Sequence, residues 1–231
     1  MKKLLTVTAV LLTAALFFTG CKNAANSDGG EDLPGKWKSD LNFYPAQNAN
    51  VERTGGVLTT DGKGTAIFQN TNPTQPDPAN PIIERNFRND IYKFSKENNL
   101  TGFEATAKST SSYCTYGFSF NISNDWKNMY QIILEYDSFE IQKEIDGTWS
   151  IIKNWTQNNA IKLEPAENTV TVYKDGNSIV IKVNGTTIHT IENPEITKGS
   201  VGYMPSVAYE DIESGTGYTI TYKLKQAQYE E

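Results

Sequence analysis

The stretch ENTVTVYKDGNSIVIKVNGTTIHTIENPEITKGSVGY, residues 167–203, alternates apolar and polar side chains in three short runs. The runs TVTVYK, SIVIKV and TTIHTI are rich in valine, isoleucine and threonine, which favour a half-buried pleated surface. Asp175-Gly176 separates the first two runs and Asn184-Gly185 the last two, and such dipeptides supply the positive φ that tight hairpins require. The stretch therefore predicts three consecutive antiparallel strands.

The same pattern continues on both sides of this stretch, from about Leu33 onward. Short alternating runs separated by turn residues, with Asp146-Gly147 among them, predict eleven or more strands. No segment predicts a helix of three turns. Many short strands at this spacing are typical of a sandwich. We predict an all-β fold, a two-sheet antiparallel sandwich that forms a single domain over residues 33–228.

The N-terminus has the composition of an export signal. Two lysines open the chain, and an uncharged run from Leu4 to Phe18 follows before Cys21. This order predicts a signal peptide over residues 1–20. As a helix the run would span roughly 22 Å, which is short for a hydrocarbon core of about 30 Å.

The tetrapeptide Phe18-Thr19-Gly20-Cys21 resembles a bacterial lipobox. The resemblance implies a lipid on Cys21, a flexible tether over residues 21–32, and attachment to the membrane of the cell envelope. Lys22 is not the aspartate that retains many lipoproteins at the inner membrane, so the outer membrane or cell surface is favoured. An ordinary cleaved signal that ends near a cysteine remains the alternative.

The charged residues and the few cysteines and histidines exclude several classes of site. Removing Lys2 and Lys3 with the leader would change the net charge from −6 to −8, which disfavours nucleic acid as a partner. Cys114 would then lack an intrachain disulfide partner, and we expect it to be a small buried side chain. The single histidine, His189, excludes a site with several histidine ligands.

From roughly Tyr92 to Tyr209 the order of strands and turns resembles the concanavalin A-like jelly roll of the lectin and glucanase superfamily, particularly its laminin G-like and bacterial keto-disaccharide-hydrolase-like branches. The resemblance rests on YKFSKENNLTGFEATAK, YGFSFNISND, MYQIILEYDSFEIQKEIDGTWSIIKNW and the stretch quoted first. It implies two curved antiparallel sheets with a concave face.

Glu135, Asp137 and Glu140 form an E-x-D-x-x-E string that resembles the catalytic triplet of the family 16 endo-glucanases. The resemblance requires one continuous strand, whereas Met129–Ile145 is too long for one strand and contains turn formers at Asp137 and Ser138. A hairpin there would place Glu135 directly opposite Glu140. The two acids are then solvated charges, contacts to a Ca²⁺ or ligand, or a catalytic pair, in decreasing order of preference.

The segment ISNDWKNMY offers a second candidate site. Trp126 lies beside Asn124, Asp125 and Asn128, and an aromatic ring with amide and carboxylate groups suits a sugar. The alternative is a loop tryptophan that covers the edge of the sandwich. Asp125 and Asn124 could equally bind Ca²⁺, although no D-x-D-x-D-G loop supports this.

Trp149 and Trp155 share strand parity with Ile151, and we expect them in or near the core; the alternative is a platform on which a sugar ring stacks.

The favoured hypothesis is an exported, lipid-anchored protein that binds a carbohydrate or a surface protein without catalysis and without an obligatory cofactor. The alternatives are a glycoside hydrolase or related sugar-processing enzyme using Glu135 and Glu140, and a structural subunit of the envelope.

Overall fold

A computed structural model describes seven segments of the chain: residues 36–38, 57–61, 64–70, 92–93, 98–111, 114–205 and 217–230. These segments belong to one compact unit, Asp32–Glu231. The predicted signal peptide, Cys21 and the tether lie outside the described residues. Within the seven segments, no helix is long and apolar enough to cross a membrane.

The described residues form fourteen strands and no helix. In chain order, the strands are β1 (Lys36–Lys38), β2 (Val57–Thr60), β3 (Thr65–Asn70), β4 (Tyr92–Lys93), β5 (Leu100–Ser109), β6 (Tyr116–Ile122), β7 (Met129–Glu135), β8 (Ser138–Ile145), β9 (Thr148–Gln157), β10 (Asn168–Asp175), β11 (Ser178–Val183), β12 (Thr186–Glu192), β13 (Ser200–Pro205) and β14 (Tyr218–Tyr229).

The strands form two antiparallel sheets. The eight-stranded sheet has the order β12-β11-β10-β5-β14-β3-β2, with β1 paired to β14. The six-stranded sheet has the order β4-β13-β6-β7-β8-β9. The three strands predicted from residues 167–203 are the consecutive strands β10, β11 and β12. The predicted all-β, two-sheet antiparallel fold is confirmed.

Aromatic side chains join the two sheets through a shared core. The ring of Phe118 in β6 lies 5.4 Å from that of Phe103 in β5 and 5.7 Å from that of Tyr222 in β14. Tyr222 also stacks on Tyr203 of β13 at 5.0 Å. All four side chains are buried, as is Cys114, which is the environment expected for that thiol. Their burial and aromatic contacts supply much of the attraction between the sheets.

The β7–β8 hairpin corrects the predicted register. The strand does break between Glu135 and Glu140, as predicted, but the turn is Tyr136-Asp137 rather than Asp137-Ser138. Glu135 therefore pairs with Ser138, and Glu140 pairs with Ile133. The two acids are not directly opposite one another.

Contacts of Asp137 with the end of β9 explain the position of this turn. Its carboxylate accepts hydrogen bonds from Ser138 Oγ and Gln157 Nε2, and its backbone oxygen accepts one from Asn158 N at 2.8 Å. Tyr136 takes a left-handed conformation, with φ of +54°, and its ring is exposed. The shift still leaves the core residues of both strands on the core face: Tyr130, Ile132, Leu134, Phe139 and Ile141.

Tyr136→Gly is expected to increase the free energy of unfolding by about 0.5 kcal/mol. A non-glycine residue at left-handed φ costs about 1–2 kcal/mol, part of which the greater freedom of glycine in the unfolded chain cancels. Tyr136→Ala keeps the strain and should not stabilise the protein. Urea unfolding of both variants measures the difference, and destabilisation by glycine relative to alanine would contradict the turn position.

Candidate functional site

The outer face of the six-stranded sheet carries an unusual number of polar side chains that are shielded from solvent. We use "outer face" for the side that points away from the shared core. Alternation along the strands and their register place seven polar residues on this face: Ser119, Gln131, Glu135, Ser138, Glu140, Gln142 and Glu144. The same face also contains Gly117, Met129, Ile133, Trp149 and Met204. Sequence reasoning did not identify this surface as a site.

Gln131 occupies the centre of the outer face. Its side chain is 0% exposed, and its Nε2 donates to Ser119 Oγ at 3.1 Å. Its Oε1 is buried and has no hydrogen-bond partner among the residues described. Buried polar groups are nearly always paired, because an unpaired group loses its hydrogen bonds to water. The Oε1 of Gln131 is therefore a buried acceptor that the described residues leave unsatisfied.

Strand β8 contributes two carboxylates to the same face. Glu140, Gln142 and Glu144 alternate along the strand and so project from one side. Glu140 is 4% exposed and Glu144 is 8% exposed, and Gln142 Nε2 donates to Glu140 Oε1. Glu135, at the end of β7, is half-buried. Sequence reasoning missed Gln142 and Glu144 because it concentrated on the E-x-D-x-x-E string.

The apolar part of the outer face is a small second cluster. Met129, Ile133 and Met204 are buried there with Ile122, and Trp149 packs against them half-buried. Trp149 pairs with Glu144 across β8 and β9, so an aromatic ring stands beside a carboxylate. The combination of an aromatic surface with hydrogen-bonding groups suits a sugar, which has apolar C–H faces and hydroxyls.

The two tryptophans of β9 have different environments. Trp149 is half-buried against the outer cluster, which agrees with a position near a core, whereas Trp155 is 39% exposed. Two register shifts between β8 and β9, between Phe139 and Gln142, interrupt the simple alternation on which the expectation rested.

The turn with Trp126 holds its polar side chains in local hydrogen bonds. Asp125 accepts from Ser123 Oγ at 2.6 Å and from Lys127 N at 3.2 Å, and these bonds hold its pKa below the usual value. Asn128 Oδ1 accepts from Asp146 N at 3.0 Å, which ties this turn to the β8–β9 turn. Asp125 and Asn128 thus have structural partners.

Trp126 itself is 38% exposed at a φ of +63°, and Asn124 beside it is also exposed. Because Met129, which follows this turn, pairs with Glu144, the turn lies at the Trp149 end of the sheet. A sugar-binding role for Asn124 and Trp126 stays a prediction.

No group of three or more histidine, cysteine, aspartate or glutamate residues in the described segments could hold a metal ion. Glu135, Glu140 and Asp125, the candidate Ca²⁺ ligands, are therefore not part of such a group. Nothing in the described segments identifies residues for another cofactor.

Glu164 forms a second unusual ionisable site, which sequence reasoning also missed. Both carboxylate oxygens are buried without a hydrogen bond of ordinary geometry among the described residues. Burial raises the pKa of Glu164; the nearby Tyr116 hydroxyl partly offsets this rise, and Glu135 adds to it. Asn168 Nδ2 donates to that hydroxyl at 2.9 Å, and burial followed by the Glu164 charge raises the pKa of Tyr116.

Glu164→Gln is expected to stabilise the protein at pH 7 by roughly 1 kcal/mol, because it removes a poorly solvated charge. An acid whose pKa is raised by folding contributes stability below its unfolded pKa, and this contribution is lost as the pH rises through the folded pKa. The advantage of glutamine should therefore disappear at about pH 4 and below. Urea unfolding of the variant and the unmodified protein between pH 4 and pH 7 measures the difference in their free energies of unfolding.

Glu167→Gln, at an exposed position of the same loop, is the control and should change stability little. Destabilisation of the Glu164→Gln variant at pH 7 would contradict this account of Glu164.

No protein-family model and no curated protein sequence matches the chain. Solved structures do match its fold. The carbohydrate-binding module CBM66 from Bacillus subtilis shares 12% identity at a TM-score of 0.50, over 81% of this chain and 98% of that chain. The β-glucanase of Bacillus licheniformis shares 11% identity at a TM-score of 0.52, over 87% of this chain and 100% of that chain.

A third structure is the κ-carrageenase from Pseudoalteromonas carrageenovora, in complex with an oligotetrasaccharide of κ-carrageenan. It shares 9% identity at a TM-score of 0.51, over 91% of this chain and 99% of that chain. At these identities the comparisons establish the fold alone. Carbohydrate-binding modules and glycoside hydrolases both occur among the structural relatives. The chain has the concanavalin A-like jelly-roll fold that these proteins share.

Proposed function

We propose that the outer face of the six-stranded sheet binds a carbohydrate without cleaving it. The observation that carries the proposal is Gln131, a buried amide whose Oε1 has no hydrogen-bond partner among the described residues. Hydrogen-bonding groups of Ser119, Gln142 and Glu140 lie on the same face, and Trp149 provides an aromatic surface. Concave or shielded sites of this composition are typical of ligand binding. The fold shared with CBM66 supports the proposal.

Trp149→Ala is expected to weaken binding of a recognised glycan by about tenfold or more, because stacking on an aromatic ring would be lost. Trp155→Ala removes the same side chain from the same strand, away from the outer cluster, and should leave affinity unchanged. Calorimetry with glycans that the unmodified protein retains on a glycan array measures both. Equal affinities in the two variants would place the site elsewhere.

Trp149→Phe keeps an aromatic ring and distinguishes lost stacking from lost folding. If this variant unfolds normally and binds within about threefold of the original affinity, stacking is the relevant contact. The absence of any bound glycan on the array would contradict the proposed function itself.

Hydrolysis of a glycosidic bond is the second candidate function, and one observation favours it. Glu135 and Glu140 are diagonal neighbours on the outer face, and glycoside hydrolases commonly use two carboxyl groups that flank the scissile bond. Glu144 lies four residues from Glu140 along β8, roughly 13 Å away, which is too far for such a pair. Release of reducing ends from a bound polysaccharide, abolished in both Glu135→Gln and Glu140→Gln, would establish catalysis.

The remaining part of the proposal concerns the location of the protein. We propose that a lipid on Cys21 anchors the chain to the bacterial envelope, at the outer membrane or cell surface, and that residues 22–32 act as a tether. The lipobox-like sequence supports this. Metabolic labelling with a palmitate analogue should mark the protein and should fail for Cys21→Ala. An unlabelled protein released in soluble form would contradict the anchor.

A protein partner on the envelope remains the alternative to a glycan. Cross-linking in intact cells would detect it, and loss of the cross-link on addition of a competing glycan would assign both to the same face.

A further inference from the structure

The geometry points to an oxyanion-binding site between β9 and β12, with Lys153 and His189 as its two nitrogen donors. We call these two residues the edge site, because β9 and β12 are the terminal strands of the two sheets. The group that the edge site takes is a carboxylate, sulfate or phosphate, as a free ion or as a substituent of a saccharide. The edge site is separate from the outer face and does not depend on the proposed function.

The strand register brings the two side chains to the same opening. Lys153 of β9 pairs with Ile141 of β8, and Ile141 is buried in the core between the sheets. His189 of β12 pairs with Ile181 of β11, which is buried in the same core. Directly opposite residues of an antiparallel pair project from the same face, so Lys153 and His189 both project toward the space between the sheets. Both are half-buried, as expected at its rim.

The pairing of both edge strands is irregular at these residues. The register of β8 with β9 shifts on each side of the pair formed by Ile141 and Lys153. The register of β11 with β12 shifts directly after Ile181, the partner of His189. Such bulges are frequent at sheet edges and next to active sites, where they change the direction of a side chain. The two residues of the edge site thus each stand at an irregularity of their own sheet.

The edge site has donors but no acceptor. Among the described residues, neither Lys153 nor His189 makes a hydrogen bond or an ion pair. The carboxylate of Glu195 is bound to Lys143 at 2.8 Å, so it is already paired. An ammonium group that is partly shielded from water without a partner costs free energy, and a bound oxyanion would reduce that cost. An oxyanion also has enough acceptor oxygens for both nitrogen donors.

The charged residues of the neighbouring strands do not act on the imidazole in place of Lys153. Lys182 of β11 and Glu192 of β12 each follow a core residue in their strand, so they project from the other face of the sheet. Burial, and then the charge of Lys153, hold the pKa of His189 below its usual value. The interaction with Lys153 also shows that the two side chains are near each other.

Binding of an oxyanion at the edge site would be coupled to protonation of His189. A negative charge beside the imidazole favours its charged form and therefore raises the pKa of His189. Because the pKa is then higher in the bound state than in the free state, binding takes up a proton. Affinity should increase as the pH falls through the range in which His189 titrates, and it should level off below that range.

The test follows the imidazole signals of the full chain by NMR, in protein purified without a histidine tag. His189 is the only histidine, so these signals report on the edge site alone. The probes are sodium sulfate, oligogalacturonate and a neutral β-glucan oligosaccharide, at an ionic strength held constant with sodium chloride. We expect sulfate or oligogalacturonate to raise the pKa of His189 by about one pH unit, and the neutral oligosaccharide to leave it unchanged.

The two sources of the oxyanion differ in this titration. Half-saturation by oligogalacturonate at a lower concentration than by sulfate would assign the bound group to an acidic saccharide. Half-saturation by sulfate at the same or a lower concentration would assign it to a free ion.

Lys153→Gln should raise the pKa of His189 in the free protein, because the repulsion between the two groups is removed. The same substitution should weaken binding of the anionic probe by about tenfold, since a charged hydrogen-bond donor is lost. Lys153→Arg keeps the charge and should retain binding. Lys108→Gln removes the same charge from an exposed position of β5 and should change neither quantity.

A pKa of His189 that responds to neither anionic probe would overturn the inference. An equal response in the Lys153→Gln variant and the unmodified protein would overturn it as well. Either result would leave carbohydrate binding by the outer face intact, because the glycan array and the Trp149 variants measure that function separately.

Discussion

Phe118→Ala is expected to lower the free energy of unfolding by about 3–5 kcal/mol, the usual loss for a large core aromatic. Phe118 is fully buried and contacts Phe103 and Tyr222 of the eight-stranded sheet. Truncation would remove the contacts that join the sheets at this point and would leave a cavity between them. Urea unfolding followed by tryptophan fluorescence measures the loss.

Phe118→Leu is the matched control, because it retains most of the volume and should cost only about 1–1.5 kcal/mol. A loss below about 1 kcal/mol for alanine would mean that the sheets do not pack through this ring.

Gly117→Ala is expected to lower the free energy of unfolding by roughly 2–3 kcal/mol and to weaken glycan binding. A Cβ at this position would lie 2.1 Å from the backbone oxygen of Ile132, so β6 and β7 would have to separate. Ser119 and Gln131 are the next outer-face pair on these two strands, and the separation would disturb their hydrogen bond. Urea unfolding and calorimetry measure the two effects.

Gly147→Ala provides the comparison, because a Cβ there meets no atom within 4 Å. Alanine at this position should lower the free energy of unfolding by about 1 kcal/mol, because its backbone would have to keep a positive φ of +78°. Glycan affinity should not change. If alanine at Gly117 lowers the free energy of unfolding no more than alanine at Gly147 does, β6 and β7 do not approach each other as closely as described.

The faces of the strands could be predicted from the sequence, because alternation is a local property. Ile132 and Leu134 alternate with Gln131 and Ile133 along β7, and the structure places the two sets on opposite sides of the sheet. Hairpin dipeptides such as Asn184-Gly185 likewise mark turns by their own conformational preferences.

The hairpin register between β7 and β8 could not be predicted in the same way. Its turn position depends on the contacts of Asp137 with Gln157 and Asn158, about twenty residues further along the chain. No local pattern contains that information, and the turn-forming residues of the sequence alone favour Asp137-Ser138 over Tyr136-Asp137. The predicted turn differs from the observed one by a two-residue shift in pairing, and this shift places Glu135 opposite Glu140 in the predicted register.

The candidate site depends on the same non-local contacts. Gln131 is one polar residue in an apolar run, and its significance appears only when its burial and the position of Ser119 are known. Glu144 and Trp149 become neighbours only through the pairing of β8 with β9. Sequence reasoning instead favoured Asp125 and the other polar residues around Trp126, because they stand close together in the chain.

The most direct test of the proposed binding face is to map a bound neutral oligosaccharide by NMR, using amide and side-chain NH₂ chemical shifts. We predict that the largest changes occur at Gln131, Gln142 and Glu144 and at the Trp149 indole, and that the eight-stranded sheet is unaffected. Shifts confined to the eight-stranded sheet, or to the turn around Trp126 without Gln131, would contradict the assignment of the outer face as the binding site.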